Sequence, residues 1–327
     1  MSMNGQGNNF GLLYNTVTVN LGDHIQTLAA KQFLPSTDIT IVAREKTNQY
    51  HGKNIRVIFN GWFMDNPQNW PPSEDITPLF VSFHINNTVE KELVSKKNID
   101  YFKKHEPIGC RDLHTMEILQ KAGVDAYFSG CLTLTLGNSI KREYVSNEIL
   151  IIDSLFGYKE SRHSSKVIFE RIMSGRFKEI FPRKKFMKKI MNKIFTQELL
   201  ENATYLTQIS KNRLSSPEEG LKLAENQLMK ISSAKFVITS RIHVALPCLA
   251  IGVPVIFLNG GLTEKKEIYR LSGLIDLFNK IDIDAKGNIK SNFEYPDKIG
   301  INFDFANKTD FIRYKTDLEQ QCKRFCR

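Results

Sequence analysis

Cysteine is sparse: the chain has five in 327 residues, at Cys110, Cys131, Cys248, Cys322 and Cys326. An odd count, with three of them inside apolar runs, excludes a disulfide framework and points to reduced thiols in a cytosolic compartment. Cys322 and Cys326 lie one helical turn apart with no partner pair elsewhere, so neither a zinc site nor any other metal centre is expected. Long hydrophobic runs are missing too. The longest, Val244 to Leu258, is broken by Pro247, Gly252 and Pro254 and is too short to span a bilayer. The opening MSMNGQGNNF has no apolar stretch, so no secretion signal is expected and the chain reads as cytoplasmic. There is no internal repeat, zinc finger, RNA-binding signature or basic region with heptads, which places nucleic acid last among partners.

What is present suits a soluble globular protein of two domains of about 150 residues each. The formal net charge of +10 calls for an anionic partner: an acidic substrate, a membrane surface or nucleic acid. Much of the excess lies in RKKFMKKIMNKIF, residues 183–195. On a helix, Phe186, Met187, Ile190, Met191, Ile194 and Phe195 share one face, with Lys184, Lys185, Lys188 and Lys189 beside or opposite it. The default reading is a domain helix with a solvated basic face. The alternative is peripheral docking on an anionic membrane at its inner face.

Short Val- and Ile-rich runs alternate with helical patterns throughout, as in a parallel α/β sheet buried on both faces. Strand-like runs fall at 11–19, 55–59, 78–85, 125–130, 148–155, 203–209, 235–240 and 253–258. Helical segments fall at 23–34, 112–122, 217–232 and 243–251. The strands restart near Glu148, after Gly137-Asn138-Ser139. Residues 1–146 and 147–304 are therefore expected to form two Rossmann-like domains facing a central cleft, with 305–327 a helix packing back across them. Ser216-Pro217-Glu218-Glu219 is a clear helix start, with serine as N-cap and proline at the first position.

Chemistry concentrates where strands end and helices begin. In Thr239-Ser240-Arg241-Ile242-His243, a helix N-terminus, Ser240 and Arg241 make an anion site, and His243 is placed to move a proton at neutral pH. Read bare, Arg-x-His is also an ordinary polar turn. In Gly109-Cys110-Arg111-Asp112, Asp112 is the N-cap and Arg111 either points into the cleft or pairs with Asp112 or Glu117. In Asn20-Leu21-Gly22-Asp23, Gly22 permits close backbone approach, and Asp23 is either the N-cap or an acceptor for a hydroxyl proton. Trp62 and His84 follow strands and are either core or the lining of a sugar site. Lys265 and Lys266 sit on a glycine-rich strand-end loop that is solvated by default.

These segments in this order, N-x-G-D, G-C-R-D and T-S-R-x-H-x-x-x-P-x-L-A-x-G-V-P-V-I, with FSGCLTLTL between the second and third, resemble the polysaccharide pyruvyl transferase family over nearly the whole chain. The resemblance implies a GT-B-like pair of domains, the first on the acceptor side and the second on the donor side. It also implies transfer of pyruvate from phosphoenolpyruvate onto a sugar of a cell-surface glycan or its lipid-linked precursor. Arg111 and Arg241 would hold the donor and His243 would be the acid/base, with no cofactor beyond the phosphoenolpyruvate substrate. Lys265 or Lys266 would take the place of a lysine that many members carry after the G-x-P strand. Two other readings stand beside it: a GT-B glycosyltransferase using a nucleotide sugar, and a non-catalytic glycan- or phosphate-binding protein.

Overall fold

A computed structural model describes residues 9–16, 18–35, 39–159, 183–212, 214–261 and 268–327. Lys265 and Lys266 lie outside the described residues. Two separate six-stranded sheets form the frame. The first runs β2 (Ile39–Ala43), β1 (Phe10–Tyr14), β3 (Ile55–Phe63), β4 (Ile76–Ile85), β5 (Ile108–Cys110), β6 (Ala126–Phe128), all parallel. The second runs β12 (Ile289–Ser291), β11 (Asn279–Ile283), β10 (Val255–Gly260), β9 (Phe236–Thr239), β7 (Ile149–Ile152), β8 (Thr204–Leu206). Its pairs are parallel except β11 with β12. The α/β architecture with two Rossmann-like sheets is the one expected.

The helices among the described residues are α1 (Leu21–Lys31), α2 (Glu90–Leu93), α3 (Lys96–Lys104), α4 (Leu113–Lys121), α5 (Phe156–Lys159), α6 (Arg183–Ile194), α7 (Gln197–Asn202), α8 (Pro217–Ser232), α9 (Ile242–Ile251) and α10 (Phe311–Phe325). Capping follows local chemistry. Ser216 Oγ accepts from Glu219 N, while the Glu219 carboxylate reaches back to Ser215 rather than to Ser216. Asp112 caps α4 by accepting from Thr115 N at 2.9 Å. The cap of α1 is Asn20, whose Oδ1 accepts from Gly22 N at 3.1 Å. Asp23 lies too far along to cap, and its carboxylate is available for other contacts.

Three apolar clusters hold the fold. One lies on the outer face of the first sheet, with Phe59, Phe63, Phe80, Phe83 and Phe102. Another lies on the outer face of the second, with Ile151, Phe236, Ile256 and Ile281. The third is shared: Leu12, Ile25 and Val81 from the first sheet's side meet Leu228, Val237, Val244, Leu246 and Phe257 from the second. Each fully buried aliphatic side chain contributes about 1.5–3 kcal/mol, so this shared layer is what joins the halves. The turn-rich stretch around Leu132–Asn138 is part of it, a 3-10 segment whose Leu132, Leu134 and Leu136 are buried against α9 and α10. α10 returns to the first sheet: Tyr314 packs edge-on to Phe128, Tyr127 donates to Gln321, and Arg56 stacks on Phe325.

The apolar face of α6 is not open to a membrane. Ile190, Met191 and Ile194 are buried in the second cluster, with Phe186 and Met187 packed against it. Lys184, Lys185, Lys188 and Lys189 lie away from that cluster and are exposed. The apolar face of this helix is thus buried in the core, as in a domain helix with a solvated basic face.

Candidate active site

The strand-end segments converge at the junction of the halves. His243, in the first turn of α9, is 6% exposed. Its ring lies against α1: a Cβ added to Gly22 would stand 3.0 Å from His243 Nδ1. Gly22 is the close approach that its lack of side chain permits. His243 Nε2 is buried and has no hydrogen-bond partner among the described residues. A buried polar atom left without a partner costs about 1–3 kcal/mol.

Both expected arginines bear on this histidine through their charge. Arg111, 2% exposed at the end of β5, donates from Nη1 to Gln26 Oε1 at 3.2 Å, and its Nε is buried with no partner among the described residues. Arg241, the residue capping α9, donates from Nε to Asp153 Oδ2 at 3.1 Å, and its guanidinium lies 3.9 Å over the Phe156 ring. Arg111 takes neither Asp112 nor Glu117, whereas the buried pair with Asp153 also fits a structural role for Arg241. Burial, then the charges of Arg111 and Arg270, then His84 and Arg241, hold the His243 imidazole well below its ordinary pKa. In the free protein it is neutral.

His84 belongs to a separate pair. Its Nδ1 lies 2.6 Å from Asp112 Oδ2 and 3.3 Å from Thr115 Oγ1. Burial and the Arg111 charge pull His84 down to about 4, against the pull of Asp112. The Asp112 carboxyl is raised by burial, but His84, Arg111 and the Thr115 N–H hold it below its usual value. The consistent state is an ionised Asp112 accepting from a neutral His84 Nδ1–H, which leaves His84 Nε2 as an acceptor.

The remaining expected residues divide. Asp23 Oδ2 accepts from Thr18 Oγ1 at 2.7 Å, and Oδ1 lies 3.9 Å from Arg44. Trp62 stands beside it, with the Arg44 guanidinium 5.4 Å from its ring centre. Asn20 is engaged as the cap. The Ser240 hydroxyl donates to Leu258 O at 2.6 Å and accepts from Leu155 N at 2.8 Å. Both bonds hold this turn against neighbouring segments of the second half.

Gln26, Arg44, Asp153, Gln208 and Arg270 were not singled out from sequence. Asp153 ends β7 as Arg241 follows β9, so the strand-end rule reaches it. Gln26 lies one turn after Gly22, a spacing without chemistry of its own. Arg270 acts on both His84 and His243. The segment carrying it is docked on the first half, where Leu113 N donates to Ser272 O at 3.2 Å and Tyr269 stacks on His114 at 4.0 Å.

The sequence model of the polysaccharide pyruvyl transferase family matches residues 20–261, from the cap of α1 to the end of β10. The chain belongs to that family. No curated protein and no solved structure matches it. The matched span contains Asp23, Arg111, Asp153, Arg241 and His243. Family membership makes the chain a transferase that places pyruvyl groups on polysaccharide.

Proposed function

We propose that the donor is phosphoenolpyruvate and that the product is a pyruvate ketal on a sugar, made on a GT-B-like scaffold. The observation that carries this reading is a buried histidine, its Nε2 without a partner among the described residues, under the charges of Arg111 from the first half and Arg241 and Arg270 from the second. Phosphoenolpyruvate carries about −2.5 to −3 charge at neutral pH, mostly on its phosphate. A phosphate and a carboxylate on one small molecule suit Arg111, Arg241 and Arg270 together.

The same charge explains how a neutral histidine becomes the acid. The cations that keep His243 deprotonated are answered by the donor's charge, so donor binding favours the imidazolium. Nε2 then gives its proton to the methylene carbon as a sugar hydroxyl attacks C2 and loses its proton toward Asp23. Phosphate leaves with the C2–O bond pair, and a second hydroxyl closes the ketal and releases its own proton. The products are the ketal carboxylate and hydrogen phosphate.

A nucleotide-sugar transferase would need a carboxylate for the ribose hydroxyls. Asp112 and Asp153 are committed to His84 and Arg241, which disfavours it. The test offers the protein phosphoenolpyruvate or nucleotide sugars with candidate glycan acceptors. Phosphate release from phosphoenolpyruvate supports the reading, whereas consumption of a nucleotide sugar alone overturns it.

The lysines of α6 lie beside the donor half: Phe186 packs on Tyr158 of α5 at 5.2 Å, and Phe156 of the same helix underlies Arg241. A lipid-linked acceptor at an anionic surface would meet this face by charge alone, at about 1 kcal/mol per lysine. Among the described residues no helix is long and apolar enough to cross a membrane. Binding to anionic vesicles should vanish at high salt and after Lys→Gln changes at 184, 185, 188 and 189.

A further inference from the structure

Pro247 stands four residues after His243, inside α9. In an unbroken helix the N–H of residue 247 would donate to the carbonyl of residue 243. Proline has no N–H, and its ring crowds that carbonyl, so the His243 oxygen is left without its helical donor. A buried carbonyl must find another donor. It accepts from Gln208 Nε2 at 3.0 Å.

Gln208 comes just after β8, is 1% exposed, and has two further bonds. Its backbone N–H donates at 2.9 Å to Asp153 Oδ2, the oxygen that also accepts from Arg241 Nε. Its carbonyl accepts at 2.7 Å from Leu21 N, in the first turn of α1. Gly22 and Asp23 follow directly, and Gly22 is the residue against which the His243 ring rests. One buried glutamine thus touches the elements carrying the proposed acid, the donor arginine and the acceptor side.

We infer that Gln208 is a positioning residue, admitted to the His243 carbonyl by Pro247, which sets the acid in register with Arg241 and with α1. The inference rests on the reading of His243 as the acid. On this inference Pro247 breaks one helical bond so that the histidine can be held from elsewhere in the fold. A merely structural glutamine would satisfy a carbonyl and nothing more, and any donor would replace it.

That difference is testable with Gln208→Leu, Pro247→Ala and the double variant, using phosphoenolpyruvate and the glycan acceptor that supports wild-type turnover. Gln208→Leu should lower the melting temperature and reduce kcat about 10–100-fold, with donor KM within about threefold, because a displaced acid slows chemistry more than binding. In the double variant the backbone N–H regained at position 247 supplies the missing donor to the His243 carbonyl. Stability should return toward wild type while kcat stays low. Gln208→Glu, which keeps the side chain's length but offers no N–H, should also fail to restore kcat. Recovery of kcat together with stability in the double variant would reduce Gln208 to a structural role and overturn the inference. A Gln208→Leu protein of unchanged melting temperature and kcat would overturn it as well. If wild type turns over no phosphoenolpyruvate, the functional reading fails first, and the catalytic half of this inference fails with it. The melting temperatures then judge the Gln208–Pro247 pairing by themselves.

Discussion

Replacing Asp153 with asparagine removes a charge and almost no volume, so the outcome reads the ion pair with Arg241 directly. The Arg241 and Asp153 side chains are 10% and 9% exposed, so solvent screens the pair little. Removing one partner of a buried pair costs about 3–5 kcal/mol, because the other charge is left buried and alone. Asparagine still offers an oxygen to the Gln208 N–H and the Arg241 Nε–H, which brings the expected loss to about 2–3 kcal/mol. At about 2–4 °C per kcal/mol for a domain of 150–250 residues, the melting temperature should fall by roughly 4–12 °C. Scanning fluorimetry at neutral pH measures it. Adding Arg241→Met should cost less than the two single changes together, since both members of the pair are then gone. Phosphoenolpyruvate should raise the melting temperature of Asp153→Asn by more than that of wild type, because the donor's anionic groups stand in for the lost carboxylate. A melting temperature unchanged by Asp153→Asn, or a double variant less stable than the sum of the singles, would refute the assignment of this pair as a desolvated one.

Gly22→Ala places a Cβ 3.0 Å from His243 Nδ1; turnover should fall by about tenfold while stability changes by less than about 1 kcal/mol, since alanine favours the helix that it crowds. Gly220→Ala places a Cβ 2.7–2.9 Å from three atoms of the buried His24 ring, where α8 crosses α1; overpacking there should cost about 1–3 kcal/mol by denaturant titration and leave donor affinity of the folded fraction intact. With the His84 pKa at about 4 in the fold and 6.5 in the open chain, the unfolded state takes up the proton first. Stability is therefore full above about pH 6.5 and lost toward pH 4, by up to about 3 kcal/mol, and His243 adds in the same direction. His84→Gln should flatten that limb of the stability curve.

Periodicity made most of the fold legible. The runs at 55–59 and 148–155 read as strands buried on both faces, and the helices between such runs imply parallel pairing; the first strand extends further, to Phe63, and takes in Trp62. The strands at Ile39–Ala43, Asn279–Ile283 and Ile289–Ser291 escaped notice because they are short and lie at or near sheet edges, where partial exposure blurs the pattern. The strand-end rule singled out Arg111, Arg241, His243 and Asp23 as candidates, because in parallel α/β sheets ligands bind where strands finish.

The division between sequence and tertiary structure follows from range. Local chemistry alone determined that Ser216 and Asp112 cap helices, that α9 is apolar on nearly every side and must be buried, and that His243 and Pro247 stand one helical turn apart. Which groups meet across the halves could not be read locally. The glutamine at 208 looks like any polar residue after a strand until folding brings it to the His243 carbonyl, Asp153 and α1. Which atoms hold the Ser240 hydroxyl, Leu258 O and Leu155 N, is likewise decided by folding. The apolar stripe of α6, read by default as the inner face of a domain helix, is settled there only when the second sheet covers it. Each of these outcomes was set by partners distant along the chain, and hydrogen bonding and burial are satisfied by neighbours in space, not in sequence.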